Sequence, residues 1–127
     1  MPSRDAIADF IQATFPSVWA LELLCFLRER EGRSLSRAEM VAGLRGSELA
    51  VSQSVDSLAR AGLVAADADG AARYAPAGKE LAEMAERAVA RYAKSPNAVR
   101  RLIVSAATPS LDAFVDAFRF RREDDDG

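Results

Sequence analysis

The chain has no histidine and only one cysteine among its 127 residues. Without imidazole there is no side chain that titrates near neutrality for general acid–base work. One thiol and no imidazole leave no soft-ligand set for a transition metal. A single cysteine, Cys25, also excludes a disulfide within the chain and points to a reducing compartment. The seven glycines form neither a nucleophile elbow nor a phosphate loop. The carboxylates fall on exposed helix faces with no paired setting. The expectation is a protein that is not an enzyme and uses no cofactor and no metal.

Long apolar runs are missing too. The most apolar stretch, Val18 to Leu27, is interrupted by Glu22 and is too short to span a bilayer. Met1 to Gln12 carries Asp5 and Asp9, unlike a secretory leader. A soluble cytoplasmic protein with no membrane association is expected. Basic excess is also lacking. Formal net charge is −2. Setting aside the acidic run Glu123 to Asp126, 17 basic residues stand against 15 acidic ones (19 less 4). A dedicated nucleic-acid binder usually shows a clear surplus of Lys and Arg.

The residues present suit one helical domain. Half are hydrophobic and only 7% are aromatic, so Ala, Leu and Val must build most of the core. Asp5 to Gln12 reads as a short helix with Ala6, Phe10 and Ala13 on one side. Pro16 and Ser17 open the next helix, Val18 to Arg30. That helix is apolar around much of its circumference and is expected between two layers, with Trp19, Cys25 and Phe26 in the core. Ser36 and Glu39 have capping-box spacing and start a helix that carries Met40, Val41 and Leu44 inward and stops at Gly46. Another helix runs from about Ser47 to Ala61, closed by Gly62. Asp69-Gly70 signals a hairpin turn, with Val64 and Tyr74 on the flanking strands. From Pro76, Leu81, Met84, Ala85, Ala88 and Tyr92 follow helical spacing. Ser95-Pro96 and Thr108-Pro109 each read as an N-cap followed by proline and start two more helices. The first buries Val99, Leu102, Ile103 and Ala106.

Helix, helix, short turn, helix, hairpin is the winged-helix order. The run Val51-Ser-Gln-Ser-Val-Asp-Ser-Leu-Ala-Arg-Ala-Gly-Leu-Val64 resembles the recognition helix and wing entry of MarR-type and ArsR-type bacterial regulators. Val55 and Leu58 hold the apolar positions, and Ala61 to Val64 match the exit. Ser36 to Leu44 looks like the supporting helix. The flanking helices resemble MarR-type architecture, where such helices interleave in a dimer. The resemblance implies a mainly α fold with a small β-hairpin: a winged helix-turn-helix with N- and C-terminal helical extensions. One domain over residues 1–122 is expected, with the motif at about 17–76, C-terminal helices at about 77–121 and an acidic tail at 123–127. The function implied is dimeric, DNA-binding transcriptional regulation.

At about 100° per residue, Val51, Val55, Leu58 and Ala61 share one face of the recognition helix, with Ser54 beside them. The opposite face carries Leu49, Ser52, Gln53, Asp56, Ser57 and Arg60. On double-stranded DNA, Gln53 suits bidentate pairing with adenine, Ser52 a base edge or phosphate, and Leu49 a thymine methyl. Arg37 and Arg45, at the ends of the supporting helix, suit phosphate contacts, and Arg73, the one basic residue of the hairpin, is a further candidate for DNA contact. Against this, Arg33 to Tyr74 holds five arginines and five acids, a balance of zero. The alternative is therefore a winged helix that binds another protein without touching DNA. A homodimer interface is expected at Met84, Leu102, Ile103, Leu111, Phe114, Val115 and Phe118, which offer more apolar stripe than a small domain covers.

Overall fold

The structure, a computed structural model, describes residues 5–107. These form six helices and a two-stranded antiparallel sheet in the order α1 (Ala6–Thr14), α2 (Val18–Glu29), α3 (Arg37–Leu44), α4 (Glu48–Arg60), β1 (Val64–Ala66), β2 (Ala72–Tyr74), α5 (Lys79–Lys94) and α6 (Pro96–Ala107). The helix starts follow local chemistry. The Asp5 carboxylate accepts the Ala8 amide, Ser17 Oγ that of Ala20 and Ser47 Oγ that of Ala50. Ser36 and Glu39 form a reciprocal capping box, satisfying two otherwise orphaned amides. Helix α5 begins at Lys79, after Gly78, without a side-chain cap; Pro76 precedes it by three residues. Helix α6 starts on Pro96, whose missing N–H costs nothing in a first turn.

Val64 and Tyr74 lie on the two strands, as expected, and pair directly, followed by Ala65 with Arg73 and Ala66 with Ala72. The turn between them is longer than a two-residue Asp-Gly turn. The Gly70 amide donates to Asp67 O and the Asp67 amide to Ala71 O, while Asp67 Oδ1 accepts from the amides of Asp69 and Ala71. Gly70 alone in this loop takes a positive φ, of 90°, the conformation that glycine adopts without penalty. A feature with no sequence signal completes the sheet region. Leu35, just before α3, exchanges backbone hydrogen bonds with Ala72 at 2.8 and 2.9 Å.

Helix α2 is the hub. Ala20, Leu21, Leu23, Leu24 and Leu27 are buried, and the helix packs against α3, α4, α5, α6 and β2. Helix α1 differs from its expected orientation. Ala6 and Ala13 are exposed, and Ile11 is buried with Ile7 and Phe10 around it, because α1 lies on α5 and α6. That packing also corrects the interface expectation. Ile103 is 1% exposed, so it is spent inside the chain, beside Val99, which is fully buried as expected. Leu102 and Met84 are half-buried. Leu111, Phe114, Val115 and Phe118 lie outside the described residues. Among the described residues, no single helix is long and apolar enough to cross a membrane.

Polar ties fix the outer helices to this core. Arg28 on α2 donates to both oxygens of Glu86 on α5, from Nε at 2.8 Å to each. The Tyr74 hydroxyl on β2 donates to the same carboxylate at 2.9 Å. The Tyr92 hydroxyl donates to Glu22, and Arg91 forks onto Asp5 at 2.8 and 3.0 Å. Arg28 and Tyr74 hold the Glu86 carboxyl below the usual carboxylate range. A depressed folded-state pKa adds stability above the ordinary value near 4.5 and loses it as pH falls through the lowered value. Glu86→Gln is therefore expected to cost about 1 kcal/mol at neutral pH, a figure reduced because both partners are part-exposed. It should also flatten the loss of stability on acidification. Urea midpoints at about pH 7 and pH 4 check both signs; a variant as acid-sensitive as the parent would be the contrary result.

Candidate nucleic-acid interface

Helix α4 presents two chemically different faces. Val51, Ser54, Val55 and Leu58 are buried and lie against α2, α3 and β1. Gln53, Asp56 and Arg60 are exposed, Ser52 and Ser57 half-buried, and Leu49 is 66% exposed. A period of 3.6 with one packed arc produces this division. All six nominated side chains of α4 thus lie off the packed arc.

The turn that aims α4 is Arg45 to Ser47. Arg45 caps α3 in the left-handed region, at φ 55° and ψ 37°, an uncommon conformation for a residue with a Cβ. Its amide and that of Gly46 both donate to Val41 O. The helix therefore stops one residue before the expected Gly46. The glycine is needed for a different reason. A Cβ on Gly46 would stand 3.0 Å from Trp19 Cζ3. The indole occupies that space and remains 41% exposed. Trp19 is therefore not the core residue expected from the apolar pattern of α2; it sits beside α4, and only its inner edge is packed.

Between the start of α2 and α4 runs a groove of about 430 Å³. Pro16, Ser17 and Trp19 form one wall, and Gln53, Asp56, Ser57 and Arg60 line the other. The structure thus brings together four of the residues nominated on α4. Arg37 lies at the hairpin end. Its guanidinium packs on Gly70, where a Cβ would come within 3.0 Å of Nη2, and its Nε is buried with no partner among the described residues. Arg45 and Arg73 are exposed.

Electrostatics separate two classes of arginine. Arg28, Arg30, Arg33, Arg91 and Arg100 pair with carboxylates. Arg37, Arg45, Arg60 and Arg73, all nominated for DNA contact, form no ion pair among the described residues. Glu48, Asp56, Asp67 and Asp69 are unpaired in the same sense, so the balance of charge around α4 stays even. Cys25 is remote from reactivity. Burial, with Glu22 and Glu29 adding to it, pushes its thiol up to about 12, so no thiolate forms at neutral pH. Among the described residues no cluster of three or more His, Cys, Asp or Glu is placed to hold a metal.

No family model, curated protein or solved structure matches the chain. The functional reading rests on the geometry around α4.

Proposed function

We propose that the chain is a MarR-like winged helix-turn-helix transcriptional regulator. On this reading it is cytoplasmic, non-catalytic and dimeric, and it reads double-stranded DNA with α4. The observation that carries the reading is the α3–turn–α4 unit. Two helices are joined by three residues, and the second buries one arc and leaves Leu49, Gln53, Asp56 and Arg60 bare. The hairpin after α4, tied to Leu35 ahead of α3, takes the place of the wing. Arg45 in the turn before α4 and Arg60 in its last turn are exposed and form no ion pair among the described residues, which suits them to meet phosphates; Arg37 and Arg73 lie toward the hairpin.

Binding by one copy is expected to be weak. Phosphate neutralisation supplies much of DNA affinity, and acids offset arginines here. A dimer engaging two half-sites doubles the contacts. Selection of fragments from random DNA at low salt tests the reading. Gln53→Ala should then relax preference at one base step by roughly 1–3 kcal/mol. Arg45→Ala should weaken binding to every sequence and flatten the salt slope. Alanine and arginine share the left-handed strain at this position, so stability should hold. If both variants bind a selected site like the parent, α4 is not the reader.

The dimer has its own measurement. Sedimentation at micromolar concentration should show two copies, weakened by Phe114→Ala or Phe118→Ala, and a clean monomer would remove dimerisation from the proposal.

A second reading, a winged-helix adaptor for another protein, is favoured by one observation. Leu49, 66% exposed on the bare arc of α4, and Trp19, 41% exposed beside it, are aliphatic and aromatic anchors next to neutral charge, which suits a protein surface.

A further inference from the structure

We propose that the groove between α2 and α4 binds a small aromatic zwitterion of the α-amino-acid class. Its volume, about 430 Å³, lies in the range of small-molecule sites. Three features of its lining select the ligand.

The first is Trp19, the one tryptophan of the chain. Its indole walls the groove, and Gly46 accommodates the inner edge of the ring. A positioned, part-exposed indole offers a plane for another aromatic ring. The second is the pair Asp56 and Arg60. They lie one helical turn apart, with opposite charge, and line the same groove. They form no ion pair with each other or with any other described residue. Side chains at this spacing have Cβ atoms about 5–6 Å apart. A ligand carrying an ammonium and a carboxylate on one carbon can therefore meet both, the ammonium at Asp56 and the carboxylate at Arg60. A ligand with one charge gains one contact and is repelled at the other. The third feature is Gln53 and Ser57, which add an amide and a hydroxyl to the same wall.

Ligand binding stands independently of DNA binding. Competition is the step that rests on the proposed regulatory reading: Gln53, Asp56 and Arg60 would serve both partners, so an occupied groove excludes DNA.

Trp19 makes the site self-reporting. Its fluorescence is titrated with L-phenylalanine, phenylacetate, phenethylamine and glycine, without DNA. A saturable change with L-phenylalanine below about 1 mM is expected, and binding of the other three at least about tenfold weaker. Asp56→Asn should erase the advantage over phenylacetate, and Arg60→Gln the advantage over phenethylamine. Both residues are exposed, so the variants should keep the parent's circular dichroism. No saturable change with L-phenylalanine at about 10 mM would overturn the site. Phenylacetate binding as well as L-phenylalanine would overturn the zwitterion assignment. Retention on DNA is then read separately. L-phenylalanine that binds without displacing DNA upholds the site and overturns competition. Binding by a protein that holds no DNA upholds the site and overturns the regulator.

Discussion

Replacing Asp56 by lysine is expected to raise non-specific affinity for duplex DNA by roughly five- to tenfold, about 1 kcal/mol, and to steepen its salt dependence. Asp56 is exposed, unpaired among the described residues and part of the bare arc of α4. Facing phosphate, its charge opposes binding unless it accepts from a cytosine amino group. On the proposed reading, reversal adds two units of positive charge to the face offered to the polyanion, and one further phosphate contact steepens the logarithmic salt slope by about 0.9. Sequence preference should erode as the non-specific component grows. The packed arc of Val51, Val55 and Leu58 is untouched, so thermal stability should change little. Filter retention across a salt series measures all of this. A parent that retains no DNA at low salt, yet captures one protein that the lysine variant loses, would transfer the function to the adaptor reading.

The second large effect concerns the opposite arc of the same helix. Leu58 is fully buried. Leu58→Ala removes three carbons where α4 meets the core and is expected to cost about 2–5 kcal/mol. Total stability of such a domain is about 5–15 kcal/mol, so the variant should be marginal at physiological temperature. Leu49→Ala, nine residues earlier on the exposed arc, should change stability by less than about 0.5 kcal/mol. Urea unfolding of the two variants measures the contrast. Equal costs would mean that Leu49 is covered in solution by a second copy or a partner.

Local chemistry was legible in the sequence, and long-range packing was not. The Ser36–Glu39 box, the Ser47 cap, the stop at Gly62 and the hairpin strands of Val64 and Tyr74 all depend on residues close in the chain. The two arcs of α4 followed from periodicity because one side alone is apolar. Trp19 was misplaced because α2 is apolar on nearly every side, and its own pattern does not reveal which flank its neighbours leave open. Ile103 was assigned to an interface because the element that covers it, α1, lies some 90 residues away in sequence, as the bond from Gln12 Nε2 to Leu102 O, at 3.3 Å, illustrates. The Leu35–Ala72 bridge is one residue pair and has no period to detect. The groove was invisible for the same reason: its walls come from two helices, and neither is unusual alone.

The turn at Asp67 limits how this surface can be re-engineered. Its two acids look equivalent in the sequence, each a charge to exchange for lysine where tighter DNA binding is wanted. Asp67 is structural. Its carboxylate accepts two amides, from Asp69 and Ala71, and a lysine ammonium has no lone pair to replace it. The Asp69 side chain has no such duty among the described hydrogen bonds. A charge-reversal library should therefore leave position 67 fixed and vary position 69. Selection for affinity alone should enrich Lys or Arg there while aspartate persists two residues earlier.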